Sequence, residues 1–553
     1  MNAAGPGRDR KFWAAAGLLL LGLSAAGLFD RALWTPDEPR EAEISREMAV
    51  SGDWLVPHLS NTPFLEKPPA YYVLLAAIIR ITGSTSAGLL RLPSAVAVLI
   101  TALLTYAIGR CLMQRMTALL GAGVFLTLAL SVELGHKVVM DSLLMMSCSL
   151  SLWGFIRASG GERRWTALPF WGGLLAAFSL KGLVGPVLVV TACGGIMLAL
   201  RQVRFVRALR PLIGGLVVLA ALGVWCILLY ERGGAEFVST FVVHNQFLRF
   251  LGGEAYGGGH ERPFYTYALT LPLATLPWTP VLVIVVWGML SAAWRARRRT
   301  VAPIEAPPRE TWLLLAWPAA MLLVLSIAAT KRSVYSAPVL PALALLAAHG
   351  LEQVGILTLK ARALAARLQA GLVLLAIIAI PAAVVFSPLE GAKPLLAVGP
   401  GLAALVFGSR RQWKAMPLTL SLCALTALAY LETFACGGRQ LDAMKNLEPL
   451  SRAVVKAVPE GREILGFDLD ETTIAILPFY TGVFVRELPA LEKLQRALAS
   501  QEPSYVLMLE RDLGRFRSQI TQPFETLRRF DTKAGRSLVL IGNPPAQREM
   551  GSR

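Results

Sequence analysis

Long apolar stretches recur along the chain between residues 12 and 436, and short polar segments separate them. A helix of about 20 apolar residues crosses the roughly 30 Å of hydrocarbon in a bilayer, and we count about thirteen such stretches. Two longer polar segments, 30–83 and 231–263, interrupt the series. The pattern predicts a mostly α, polytopic membrane domain over residues 1–436, with two large loops outside the bilayer.

The pattern changes after residue 436. Charged, helix-like segments there alternate with short β-rich runs, at 463–467, 483–487, 504–509 and 537–542. Strands that alternate with helices are typical of an α/β fold. We therefore expect a small α/β domain over residues 437–553, outside the membrane.

The first large loop opens with the acidic sequence WTPDEPREAEISREM. Proline favours the first turn of a helix, so the segment 39–50 is predicted to be helical. Its Arg40, Glu43 and Glu47 share one face, which favours an amphipathic helix at the membrane surface. Residues 70–83 are too few to span a bilayer, and they predict a second interfacial helix.

Composition and charge restrict the class of protein further. Hydrophobic residues make up 55% of the 553 positions and charged residues 16%, which excludes a single soluble core. The formal net charge is +18, but with residues 8–11 cytoplasmic the basic residues fall in every second loop, as membrane topology requires. This distribution argues against nucleic-acid binding and places both large loops and residues 437–553 on the outer side. The basic loops are 110–115, 157–164, 201–210, 295–299, 360–367 and 410–414.

Ionisable residues collect at the predicted outer edges of the spans. Charge near hydrocarbon is costly unless it is used or paired. Cationic side chains suit a phosphate, carboxylates suit a sugar or an amine, and an apolar groove between spans suits a lipid tail. The residues in question are Asp37, Glu66, Lys67, Asp141, Lys181, His244, Arg249, Lys331 and Arg332.

Several motifs resemble a known family. In chain order they are WTPDEPREAEISREMAVSGDWLVPHL, FLEKPPAYY, VVMDSLL, SLKGLVGP, HNQFLRF and HERPFYTYA. They are similar to the polyprenyl-phosphate-sugar-dependent glycosyltransferases of the C-type membrane fold. Within that fold, the closest resemblance is to the lipid A 4-amino-4-deoxy-L-arabinose transferases of Gram-negative inner membranes.

The resemblance implies a donor, an acceptor and a location. The donor is undecaprenyl-phosphate-linked aminoarabinose, and the acceptor is a lipid A phosphate on the periplasmic face of the inner membrane. The product is modified lipopolysaccharide, which gives resistance to polymyxin and other cationic antimicrobial peptides. A single direct attack inverts the anomeric carbon, in contrast to the two-step route of retaining hydrolases. No nucleotide cofactor is implied, and a monomer among membrane lipids is expected.

The resemblance also assigns roles to particular residues. Asp37 and Asp141 are the implied catalytic residues. Glu66 and His244 are the implied ligands of one divalent ion, zinc or magnesium or manganese. The implied substrate-binding and phosphate-binding residues are Arg40, Lys67, Tyr72, Lys181, Arg249, Lys331 and Tyr335.

Most of these side chains also have a purely structural interpretation. The glutamates of the acidic stretch are typical of solvated helix surface pairs. Asp37 or Glu38 is suited to cap the helix after it. Asp141 has Lys137 one turn before it as a possible ion-pair partner. Lys181 is suited to lie between two spans with its ammonium extended to the membrane surface, which is called snorkelling. Tyrosines 71, 72 and 335 are suited to an interfacial aromatic belt.

Two other functions remain open at this point. A related transferase that moves mannose or galacturonic acid from a polyprenyl phosphate to protein or lipid would share the aspartate and the cationic residues. A lipid transporter or flippase would instead place its ionisable residues near the bilayer midplane, between related halves. The collection of charges at one face favours an enzyme that works at the interface.

Overall fold

The computed structural model describes residues 17–161, 165–252, 261–298, 309–352, 357–385, 418–531 and 537–551. Among the predicted basic residues, those at 8–11, 163–164, 299 and 410–414 lie outside this part, as do residues 253–260 of the second large loop. The chain divides into two compact units. The first contains Met1–Leu28, Leu65–Pro68 and Arg91–Gly438, and the second contains Phe29–Phe64, Pro69–Leu90 and Arg439–Arg553.

The first unit is built from helices, which follow one another with short connections. Two 3₁₀ segments, Arg204–Leu209 and Ser333–Val339, and one π-helix, Thr240–Leu248, are set between them. Two of its α-helices, Ala87–Leu112 and Leu418–Lys445, extend into the second unit. The others with described bounds include Arg115–Leu126, Ala129–Gly135, Asp141–Ser159, Ala167–Lys181, Val184–Leu200, Pro211–Ser239, Arg249–Leu251, Thr266–Ala274, Thr279–Arg298, Arg309–Ile327, Leu340–Glu352 and Leu359–Val385.

Four helical segments of the described residues are long and apolar enough to cross a membrane, or six if each of two bent helix pairs counts as one span. The segment Pro211–Leu251 contains a break at Gly233 and Gly234, where the backbone leaves the helical region. Only 11% of its most apolar window is buried within the protein, as expected for a helix that faces lipid. The chain is therefore a multi-pass membrane protein, and the count of about thirteen spans stays a prediction.

Close packing of two helices fixes the position of two charged residues in the first unit. A Cβ at Gly173 would lie 2.6 Å from both the Ser147 carbonyl oxygen and the Ser151 hydroxyl oxygen, so the helix Ala167–Lys181 approaches the helix Asp141–Ser159 almost backbone to backbone. Small residues permit such an approach inside a membrane. The N-terminus of one helix and the C-terminus of the other then lie side by side.

The second unit combines the first loop with the C-terminal segment. The loop contributes the helices Asp37–Ser51 and Ala70–Thr82 and a two-stranded hairpin of β1 (His58–Leu59) and β2 (Thr62–Pro63). Its two helices therefore have almost the predicted bounds. The C-terminal helices are Glu448–Ala457, Glu471–Thr481, Leu491–Leu498, Glu510–Phe516 and Pro544–Gly551.

A five-stranded mixed sheet forms the centre of the C-terminal segment. Its strands are β3 (Ile464–Phe467), β4 (Val485–Leu488), β5 (Tyr505–Leu509), β6 (Glu525–Phe530) and β7 (Leu538–Gly542), in the spatial order β4-β3-β5-β7-β6. Strand β3 runs parallel to β4 and β5, whereas β7 runs antiparallel to β5 and β6. Helices and apolar side chains cover both faces, so the predicted α/β fold is confirmed.

Candidate active site

The acidic helix Asp37–Ser51 of the first loop is buried. Glu38 and Glu43 are 0% exposed, Glu41 is 3% exposed and Glu47 is 6% exposed. The interpretation of these glutamates as solvated pairs on a membrane-surface helix is therefore wrong. Sequence spacing showed which of them share a face, but not that other segments of the unit cover the helix.

Specific donors compensate for the burial of these carboxylates. Glu47 accepts hydrogen bonds from the backbone N–H groups of Ser60 (2.5 Å) and Asn61 (3.0 Å), so it holds the turn between β1 and β2. Glu43 accepts two hydrogen bonds from the Arg46 guanidinium, each of 2.7 Å. Burial nevertheless raises the pKa of Glu43 to about 8, against the hydrogen bond and the charge of Arg46, which lower it.

Asp37 is the first residue of this helix, and Pro36 occupies the N-cap position. The interpretation of Asp37 or Glu38 as the cap of a helix that begins at residue 39 is therefore wrong. The Asp37 side chain is 16% exposed, and its Oδ1 lies 3.7 Å from Nη2 of Arg40. A carboxylate at a helix N-terminus is stabilised in its charged form by the helix dipole.

Three carboxylates surround the Arg40 guanidinium. Besides Asp37, it contacts Glu41 at 2.9 Å and Glu471 of the C-terminal segment at 2.5 Å. Charge-assisted contacts of this kind fix a guanidinium in one orientation. The first loop thus carries Asp37 with an immobilised arginine beside it.

Tyr72 is a core residue of the second unit. It is 0% exposed and packs edge to face against Phe64 and Tyr71, with ring centroids 6.3 Å and 6.0 Å away. The interpretation of Tyr71 and Tyr72 as interfacial belt aromatics is wrong, because both rings are fully buried. The role of Tyr72 in substrate binding stays a prediction.

Asp141 and Lys181 form a buried ion pair in the first unit. Lys181 Nζ lies 2.5 Å from Asp141 Oδ1, and the side chains are 10% and 11% exposed. Asp141 begins its helix and Lys181 ends the neighbouring one, so both charges suit the dipoles of their own helices. The alternative pairing of Asp141 with Lys137 is wrong, because Lys137 binds Glu133 and Asp141 binds Lys181. Since Lys181 has this specific partner, snorkelling alone does not account for its position.

Aromatic side chains complete this cluster. The Lys181 ammonium lies 4.1 Å from the centroid of the Tyr335 ring, a cation–π contact. Tyr267 lies near enough to Tyr335 and Asp141 to interact with both electrostatically, and its hydroxyl donates to the Arg332 carbonyl at 3.3 Å. Tyr335 is thus part of a charged cluster and does not serve only in an aromatic belt, and its role in substrate binding stays a prediction.

Lys331 is held by the backbone. It is 4% exposed, and its ammonium donates to the carbonyl oxygens of Arg262, at 2.8 Å, and of Ala328. These bonds join the segments on either side of it. A contact between Lys331 and the substrate stays a prediction.

The π-helix Thr240–Leu248 contains the first residues of the motif HNQFLRF and contacts the motif FLEKPPAYY, whose E-K-P residues are 66–68. Its Asn245 side chain donates to the Leu65 carbonyl at 3.1 Å, next to the E-K-P motif, and Glu66 binds Arg249 at 2.5 Å, one residue beyond the π-helix. Lys67 follows Glu66 directly. Because π-helices occur preferentially at functional sites, this segment is a candidate scaffold for the active site.

The same π-helix also contacts the K-G motif, Lys181 and Gly182, and the residue after it. Gln246 Oε1 accepts a hydrogen bond from the Leu183 N–H at 2.9 Å. Gly182 has a φ of +62°, and a Cβ there would overlap the Gln246 side chain. Only glycine therefore permits this turn and this close approach.

The divalent ion that the resemblance implies would be held by Glu66 and His244, which are among the described residues. No group of three or more His, Cys, Asp or Glu side chains among them is placed to hold an ion. The Glu66 carboxylate is paired with Arg249, and His244 lies exposed on the π-helix. The divalent ion stays a prediction, and no step proposed below passes through it.

Sequence reasoning did not assign four residues that the structure places beside these groups: Tyr267, Asn245, Gln246 and Glu471. The first three lie inside motifs quoted above, so their position was visible but their partners were not. Glu471 is more than 400 residues from its partner Arg40, and no local pattern signals such a contact.

Comparison with known proteins adds three findings. The family model described as "Dolichyl-phosphate-mannose-protein mannosyltransferase" matches residues 66–227. "Undecaprenyl phosphate-alpha-4-amino-4-deoxy-L-arabinose arabinosyl transferase 1" of Sodalis glossinidius is 35% identical over 331 residues, which are 58% of this chain and only 56% of that relative. The Erwinia tasmaniensis protein named as such a transferase is 33% identical over 421 residues, 71% of this chain and 72% of the relative.

A solved structure has the same fold. The crystal structure of ArnT from Cupriavidus metallidurans bound to undecaprenyl phosphate matches this chain with a TM-score of 0.74 at 20% sequence identity. The match covers 97% of this chain and 98% of that chain. The predicted C-type membrane fold is therefore confirmed.

Proposed function

Because this chain belongs to the undecaprenyl phosphate-α-4-amino-4-deoxy-L-arabinose arabinosyl transferase family, we propose that it transfers aminoarabinose from undecaprenyl phosphate to a lipid A phosphate. The observation that carries the proposal is the identity of 33% over 71% of the chain to a relative of that name. We place the reaction at the periplasmic face of the bacterial inner membrane, where both lipids present their head groups.

The proposed reaction is one displacement at the anomeric carbon of the sugar. A phosphate oxygen of lipid A attacks C1, the bond between C1 and the donor phosphate breaks, and undecaprenyl phosphate leaves with the bonding electrons. The configuration at C1 is inverted. Since a lipid A phosphate is anionic at neutral pH, the attacking oxygen needs no strong general base.

Stabilisation of the leaving phosphate is the more demanding task. Its oxygens gain charge as the bond to C1 breaks, and preorganised cations lower the energy of that state. We assign this role to Lys67, Lys181 and Arg249. The paired carboxylates Asp141 and Glu66 hold the last two cations in fixed positions, which supports the assignment.

Stabilisation of positive charge on the sugar is a separate task, which we assign to Asp37 and Asp141. Positive charge develops at C1 and on the ring oxygen as the donor bond breaks, and the sugar itself carries an ammonium group. A carboxylate near either charge stabilises it. We propose that Asp37 interacts with the sugar and that Arg40, fixed by three carboxylates, sets the position of Asp37. This differs from the sequence-based prediction that Arg40 binds phosphate.

Purified protein in lipid vesicles tests the proposal. We expect transfer of labelled aminoarabinose from undecaprenyl phosphate to lipid A, strongly reduced by Asp37→Ala. A Lys67→Ala variant that turns over the donor normally would remove Lys67 from the leaving-group role. Absence of any transfer by the wild-type protein would refute the function.

Mannosyl transfer is the second candidate, because the mannosyltransferase family model matches residues 66–227. The same vesicles supplied with mannosyl phosphopolyprenol distinguish the two. We expect no hexose on lipid A or on peptide. Hexose transfer without pentosamine transfer would establish the alternative.

A further inference from the structure

The C-terminal α/β segment binds the first loop through polar contacts. Asp442 Oδ1 accepts hydrogen bonds from the Ala32 N–H at 2.9 Å and from the Trp34 indole at 3.0 Å. The Leu33 N–H donates to the Tyr480 hydroxyl at 3.3 Å. All of these residues belong to the second compact unit, so the loop and the C-terminal segment fold as one body.

Two further contacts between the C-terminal segment and the first loop lie directly on either side of Asp37. The Thr472 hydroxyl donates to the Pro36 carbonyl oxygen at 3.0 Å, one residue before Asp37. The Glu471 carboxylate binds the Arg40 guanidinium at 2.5 Å, one turn after it. Consecutive residues of one helix therefore hold the backbone before Asp37 and the arginine beside it.

The helix that supplies Glu471 and Thr472 is itself fixed at this end. Asp470 is its N-cap, and the Asp470 side chain accepts a hydrogen bond from the Thr473 N–H at 2.8 Å. An N-cap of this kind orders the first helical turn. Glu471 and Thr472 lie in that turn, so the positions of their side chains do not depend on a mobile loop.

We propose that Glu471 and Thr472 are positioning residues for Asp37, so that the C-terminal segment takes part in sugar transfer through the first loop. The proposal rests on the proposed function for the role of Asp37. Neither residue touches substrate. Glu471 shares Arg40 with Asp37 and Glu41, and its removal lets the guanidinium shift toward the remaining carboxylates.

Kinetics of the full-length protein give the first test. A misplacement of about 1 Å at a reacting group can cost about 10²-fold in rate. We expect Glu471→Gln and Thr472→Val each to lower kcat by about tenfold while the donor KM changes by less than about twofold. Thr472→Ser keeps the hydroxyl and should retain the wild-type kcat.

A matched control separates positioning from general destabilisation. Glu463→Gln makes the same chemical change in an exposed pair with Arg486 of the same segment, 3.1 Å apart. It should leave kcat unchanged. Three results would overturn the proposal. The first is an equal fall of kcat in Glu463→Gln and Glu471→Gln, and the second is a rise of the donor KM with kcat unchanged. The third is a wild-type kcat in both Glu471→Gln and Thr472→Val.

A second readout does not require activity. In a Cys111→Ser background, which lacks the one thiol that is exposed among the described cysteines, Asp37→Cys reports how well position 37 is held through its rate of reaction with a maleimide. We expect Thr472→Val to raise that rate about threefold or more, because the preceding peptide is released. An unchanged rate refutes the positioning role. If the wild-type protein transfers no aminoarabinose, the proposed function fails, and labelling still decides the positioning claim.

Discussion

Replacing Lys181 by methionine tests whether the buried ion pair with Asp141 serves catalysis or only folding. The two side chains are 10% and 11% exposed, and Nζ lies 2.5 Å from Oδ1. Removal of one partner from such a pair leaves a buried uncompensated charge, which costs about 3–5 kcal/mol of folding free energy. If Lys181 also stabilises the leaving phosphate, its loss should lower kcat by about 10²–10³-fold.

The double variant Lys181→Met/Asp141→Asn separates the two effects. It leaves no unpaired charge, so most of the lost stability should return, whereas kcat should stay low. The assay is transfer of labelled sugar per folded molecule, with the thermal unfolding temperature measured in parallel. Lys137→Met is the control, since Lys137 pairs with the more exposed Glu133 and should change stability by only about 0–1 kcal/mol.

Two results would refute this reasoning. One is wild-type kcat per folded molecule in Lys181→Met. The other is a double variant that regains kcat together with stability, which would make the ion pair purely structural.

Three further predictions concern Arg249, Gln246 and Glu43. Arg249→Gln should lower kcat by about 10²-fold, with partial activity in Arg249→Lys, as measured by transfer in vesicles; equal activity in both variants would contradict a role for the positive charge. Gln246→Leu leaves the Leu183 N–H without its acceptor and should cost about 1–3 kcal/mol and lower kcat, whereas Gln246→Glu, which keeps an acceptor oxygen, should lose less stability in thermal unfolding. Glu43→Gln should remove a pH dependence: because the folded-state pKa of about 8 exceeds the ordinary 4.5, the contribution of Glu43 to stability is full below pH 4.5 and is lost as the pH rises to about 8. Across that range the fall is at most roughly 5 kcal/mol, and an equally steep decline of the unfolding temperature in Glu43→Gln would contradict the assignment.

The sequence predicted the fold class because its signals are local. Apolar runs of spanning length indicate a helical membrane protein, and the alternating β-rich runs indicate four strands of the C-terminal sheet. Strand β6 was not predicted, since Glu525–Phe530 lies at the sheet edge and most of its side chains are exposed and polar. An edge strand of this kind lacks the apolar alternation that marks a strand in the sequence.

The candidate site was predictable in its residues but not in their partners. The motifs identified Asp141 and Lys181, yet spacing along one helix suggested Lys137 as the partner of Asp141, when the true partner is 40 residues away. The acidic stretch was misread for the same reason: nothing local in Glu38 or Glu47 indicates the segments that bury them. Tertiary contacts decide which carboxylates are solvated.

The most direct test of the central claim is the mass spectrum of lipid A from cells that produce this protein. With the wild-type chain and a supply of the donor, we predict lipid A species that carry an added pentosamine. Cells that produce equal amounts of the Asp37→Ala variant should lack them. Lipid A without pentosamine in the wild-type cells would contradict the proposed function, and full modification by Asp37→Ala would contradict the assigned site.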